Sequence, residues 1–115
     1  MQKKFFFIIL MVTLVSPGSR LWATAPQSIE IVYDEPKKMV HLTVSHPTRD
    51  LQEHRIRKIQ VSLKDHPPQN YFFSAQQKAT AQVLDVPALL NSGDTVKVKA
   101  ICSKAGFKEQ TYTIP

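Results

Sequence analysis

Five side chains in this sequence could serve as soft ligands to a transition metal: His41, His46, His54, His66 and Cys102. An imidazole nitrogen and a thiolate sulfur each offer a lone pair that iron, zinc and copper accept. His46 and His54 stand at either end of the polar loop 47–53, and Cys102 closes a later apolar run. If those three positions converge in space, two imidazoles and one thiolate make a partial ligand set. The competing reading needs no metal: the two histidines cap exposed strand ends, and Cys102, sharing the parity of Val98 and Ala100, is a small core residue. His41 has the parity of Thr43 and is expected to face solvent, while His66 lies in the proline-bracketed turn 65–68 and is expected at the surface. Conventional hydrolytic chemistry has little support, because no serine sits on a glycine-flanked elbow beside a base. Asp50 and Glu53 read as loop solvation.

Positioning these side chains falls to short apolar runs of period two, at 28–33, 39–45, 55–63, 71–75, 80–86, 95–102 and 111–114. Turn residues separate them, notably Asp34-Glu35-Pro36, His66-Pro67-Pro68, Asn91-Ser92-Gly93-Asp94 and Ala105-Gly106. No segment keeps a helical period, which leaves at most one turn near 88–91. About seven short strands imply an all-β, immunoglobulin-like antiparallel β-sandwich. Alternation sends Val40, Leu42, Val44, Ile59, Val61, Leu63, Val96, Val98 and Ala100 inward, with Thr43, Gln60, Ser62, Lys97 and Lys99 facing out. Tyr71, Phe72 and Phe73 are consecutive, so at least one must be exposed.

The N-terminus reads as an export signal spanning 1–25. Lys3 and Lys4 precede the apolar run FFFIILMVTLV, and SPGSRLWATA follows as a small, polar region with cleavage after Ala23 or Ala25. That run is about 11 residues, where a membrane-spanning helix needs roughly 20. The expectation is a secreted or periplasmic domain, 26–115, with no stable membrane anchor. Losing Lys3, Lys4 and Arg20 leaves 12 basic against 9 acidic residues, a net charge of +3 in place of +6. Charge and compartment both argue against a nucleic-acid partner. With Cys102 as the sole cysteine, no internal disulfide can staple the fold, so the thiol is expected to be buried, metal-bound or paired with another molecule.

The stretch His46-Pro47 through His54-Arg55-Ile56, with Ile59 and Val61 after it, resembles the His-Pro and His-x-Ile segment of the superoxide reductase, or desulfoferrodoxin, iron domain. The stretch Asn91-Ser92-Gly93-Asp94-Thr95-Val96, followed by residues 100–107, is similar to that family's Gly-Asp turn and terminal Cys-x-x-His-Gly segment. The resemblance runs from about residue 29 to 108. It implies an immunoglobulin-like sandwich holding one iron through four equatorial histidines and an axial cysteine, with an open position where superoxide is reduced to peroxide. By position, His46 and His54 would be equatorial ligands and Cys102 the axial one, served by an electron donor of unidentified kind. The departures are specific. Ala105 stands where the family has its Cys-x-x-His histidine, and 26–38 contains neither the remaining histidine nor the Lys-His segment that carries the anion-attracting lysine. The loop between the two retained histidines is about two residues longer. At most three of five ligands survive, so the implied centre is depleted or altered.

A second resemblance is to the sandwich subunit of the sulfur-carrier complexes of thiosulfate oxidation, which has a comparable His-Pro and His-x-Ile stretch and acts as a scaffold without metal. It implies a non-enzymatic binding module. The two readings differ in one geometric respect: a metal centre requires His46, His54 and Cys102 to meet, and a scaffold does not.

Overall fold

The computed structural model describes residues 25–115; the expected export signal, 1–25, lies outside the described residues apart from Ala25. Seven strands form, β1 (Ser28–Asp34), β2 (Met39–Ser45), β3 (Ile56–Leu63), β4 (Gln69–Phe72), β5 (Ala81–Pro87), β6 (Thr95–Cys102) and β7 (Phe107–Thr113). They pair antiparallel into a three-stranded sheet, β1-β2-β5, and a four-stranded sheet, β4-β3-β6-β7. The two sheets bury their inner faces against each other as an immunoglobulin-like sandwich. Among the described residues no helix is long and apolar enough to cross a membrane.

The core follows directly from alternation. Val40, Leu42 and Val44 on β2 meet Ile59 and Val61 on β3 and Val96, Val98 and Ala100 on β6, and all are buried. Leu63 is half-buried at the end of its strand. β-branched residues dominate because their stiff side chains suit a pleated, half-buried surface. Tyr71 and Phe73 pack against this core, while Phe72 is 69% exposed, as three consecutive aromatics on alternating faces must be.

Two strands depart from the expected limits. β4 ends at Phe72 and not at residue 75. β7 begins at Phe107 and not at residue 111. β7 is an edge strand whose residues are exposed except for the half-buried Tyr112, so it carries almost no inward apolar signal to read. The turn that feeds it uses Gly106 at φ 60°, a left-handed conformation that other residues adopt at a cost.

One irregularity shapes the pole at which the candidate ligands lie. β3 pairs Ile56 with Cys102 and Lys58 with Ile101, so Arg57 is an extra residue in the ladder. This bulge lets both Ile56 and Ile59 face the core although they are three positions apart, and it re-aims the chain that leads back to His54.

Candidate metal centre

His46 directly follows β2, His54 lies two residues before β3, and Cys102 is the last residue of β6. β2 runs antiparallel to β5 in one sheet, and β3 to β6 in the other. The β3–β6 pairing sets the N-terminal end of β3 beside the C-terminal end of β6, and the packing of the two sheets brings the C-terminal end of β2 to the same pole. The candidate ligand atoms of His46, His54 and Cys102 all lie within 4.8 Å of one another, and all three residues are buried. The imidazole rings meet edge to face with centroids 4.7 Å apart. Ligand atoms about 2.0–2.3 Å from a common ion stand at most about 4.6 Å apart when opposite each other. The observed spread closes onto such an ion with a sub-ångström adjustment, so the donor set is able to hold a metal ion.

His41 and His66 are elsewhere. His41 lies on the outer face of the three-stranded sheet between Asp34 and Asp85, and His66 is exposed in the turn after β3. Ala105, in the place of the family's further histidine, is half-buried in the turn beyond Cys102.

Backbone and loop contacts hold the three residues. Asp50 accepts hydrogen bonds from the amides of Gln52 and Glu53 at 3.1 and 3.0 Å, which form the turn between the histidines. Those bonds, that to Glu53 first, hold its carboxyl below the usual aspartate value. Asp50 is thus a turn former, more than a merely solvated loop acid. Thr48 Oγ1 donates to the carbonyl of His54 and so ties the two ends of the loop together. The amide of His46 donates to Thr80 and that of Thr48 to Ala79, at 2.9 and 2.8 Å, anchoring the loop to the start of β5. Ser103 Oγ accepts from the Arg55 amide at 3.0 Å and donates to the Glu53 carbonyl at 2.8 Å, which couples the His54 side of the site to the Cys102 side.

The sulfur of Cys102 accepts two amide hydrogen bonds, from Lys104 at 3.3 Å and Ala105 at 3.4 Å. Hydrogen bonds to an ionised acceptor are the stronger kind, so these amides suit a sulfur that carries ligand charge. Position 105 thus offers no ligand side chain but supplies a backbone donor to the sulfur.

Nothing in the sequence pattern singles out Gln76. Its side chain is 2% exposed, and its Oε1 lies 2.7 Å from His46 Nδ1 and accepts from the Ile56 amide at 3.1 Å. Its Nε2 donates to the carbonyls of His46 and Lys78 at 2.7 and 2.8 Å. Gln76 sits in the polar stretch 74–80, which has no periodicity that could mark one residue as buried.

Among solved structures, the chain superposes on a superoxide reductase (neelaredoxin) from Ignicoccus hospitalis with a TM-score of 0.51, covering 79% of this chain and 81% of that one at 15% sequence identity. The fold is superoxide-reductase-like. At that identity the likeness speaks for architecture alone. No protein-family model matches the chain, and no curated protein matches it.

Proposed function

We propose that this protein is an exported metal-binding domain with a superoxide-reductase-like fold, taking one iron ion at His46, His54 and Cys102. The observation that carries the reading is the convergence of the ligand atoms of these three buried residues, one next to a strand end of the three-stranded sheet and two at or near strand ends of the four-stranded sheet, to within 4.8 Å. The resemblance of the stretches 46–56 and 91–107 to an iron domain supports iron as the metal. The leader-like residues 1–25 support export.

Iron bound through a thiolate and imidazoles, with positions left open, supplies one-electron chemistry toward a small oxidant such as superoxide. The chain's own residues hold the ligands in place, bury them from bulk water and direct two amides at the sulfur. With Ala105 and 26–38 supplying no further imidazole, His46, His54 and Cys102 would leave a bound iron more open positions than the family's five-ligand set does.

A scaffold reading is favoured by a different observation. On the outer face of the four-stranded sheet, Phe72, Lys58, Ile101 and Phe107 form one cross-strand row, and Phe72 and Phe107 are 69% and 54% exposed. The ammonium groups of Lys58 and Lys99 stand over those rings. An apolar, cationic face of this kind complements a protein partner that presents acidic groups around an apolar centre.

Metal content of the protein purified anaerobically from its native compartment, beside a Cys102→Ser variant, separates the readings. Near-stoichiometric iron, with a sulfur-to-iron absorption band on oxidation that the variant loses, supports the metal centre and justifies a superoxide assay. Absence of metal from both proteins sinks the redox reading and leaves the binding module.

A further inference from the structure

We propose that Gln76 is the positioning residue of this centre: it holds His46 as the Nδ1–H tautomer and thereby assigns Nε2 as the atom His46 offers to a metal. The inference rests on the metal-binding reading for its consequence, but its structural part stands on hydrogen-bond chemistry alone.

The orientation of the Gln76 amide follows from its backbone neighbours. One end lies 2.7 and 2.8 Å from the carbonyl oxygens of His46 and Lys78. Carbonyls only accept, so that end must be the NH2 group, and both its hydrogens are used. The other end faces the amide N–H of Ile56 at 3.1 Å. An amide N–H only donates, so that end must be the oxygen. Reversing the side chain would set oxygen against two carbonyls and NH2 against an N–H, three mismatched contacts at a group only 2% exposed.

With the oxygen so placed, the 2.7 Å contact to His46 Nδ1 has one chemical solution. A carbonyl oxygen accepts, so Nδ1 carries the hydrogen. A neutral imidazole has one N–H, and its lone pair then lies on Nε2. Metal-binding histidines commonly donate their second ring N–H to a fixed acceptor, which sets tautomer and ring orientation. Gln76 is held for that task from three directions, by the end of β2, the start of β3 and residue 78 of its own loop. Its backbone N–H also donates to the Leu51 carbonyl at 2.8 Å, which ties it to the loop between the two histidines.

The test uses the metal-free mature chain and long-range proton–nitrogen NMR of the imidazoles. The expected result is a protonated Nδ1 and an unprotonated Nε2 for His46, and the opposite pattern overturns the proposal. Gln76→Met, which keeps the length and removes the acceptor, is expected to give mixed His46 tautomers and to weaken Zn2+ binding about 10–100-fold in a chelator competition. An unchanged tautomer together with unchanged Zn2+ affinity in Gln76→Met also overturns the proposal. If Gln76→Met does not fold, the wild-type spectrum still decides the tautomer. A wild-type chain that shows the Nδ1–H form but takes up neither Zn2+ nor iron sustains the tautomer assignment while removing the metal-binding reading and the ligand role of Nε2.

Discussion

His41 lies between two carboxylates on the outer face of the three-stranded sheet, its Nδ1 2.7 Å from Asp85 and its Nε2 3.5 Å from Asp34. The hydrogen bond to Asp85 is the largest cause lifting its pKa above the ordinary 6.5, partial burial opposes the rise, and Asp34 adds to it. The stabilisation that results is fully present below about pH 6.5 and is lost as pH rises through the raised folded-state value. A His41→Asn variant is therefore expected to trail the wild type in urea midpoint by more at about pH 5.5 than at about pH 9. An equal gap at both values would show that the imidazolium contributes nothing there. Parity rightly sent His41 outward, but it could not show that two acids lie beside it. Asp85 is its cross-strand partner, 44 residues away in sequence, and that pairing exists only once β2 and β5 have found their register.

At the scale of the element, alternation was the informative signal, and it worked best where both neighbours of a strand are present. β2, β3 and β6 are central strands, and their inward residues were readable one by one. Leu42, 1% exposed, is expected to cost about 2–5 kcal/mol when cut to alanine, against a total of about 5–15 kcal/mol for a domain. Phe72→Ala, on the exposed face, is expected to stay within about 0.5 kcal/mol. Denaturant titrations of the two variants check this contrast, and similar losses would mean that the sheet's outer face is covered in solution. β4 and β7 were misplaced by several residues because almost none of their residues is buried, whereas the edge strands β1 and β5, which bury some of their residues, were placed within one residue. The bulge at Arg57 was illegible for a related reason, since an unpaired residue is defined only against its partner strand.

For the whole molecule, the site's position matters as much as its chemistry. His46 follows β2 of one sheet, whereas His54 precedes β3 and Cys102 ends β6 of the other. A metal held by all three would cross-link the two layers of a fold whose lone cysteine rules out a disulfide staple. Binding confined to the folded state stabilises it by mass action, about 2.7 kcal/mol at a free concentration of 100 times Kd. For a chain of this size that corresponds to a rise of roughly 10–20 °C in Tm. Zn2+, which is redox-inert, is expected to raise Tm in the wild type, chelator to reverse the rise, and Cys102→Ser to abolish most of it. A Tm indifferent to Zn2+ in the wild type would argue that the three side chains are a satisfied polar core and nothing more.

The sequence by itself determined the all-β class, the number of strands, most of the core and the identity of the three converging side chains, because period-two burial and ligand chemistry are properties of residues and their local spacing. Only the tertiary structure decided that those side chains meet, that an extra residue at position 57 turns the chain toward them, and that Gln76 stands behind His46. Each of these depends on which strand ends share a pole and which buried polar groups must answer one another, and those relations arise between segments 20 to 50 residues apart.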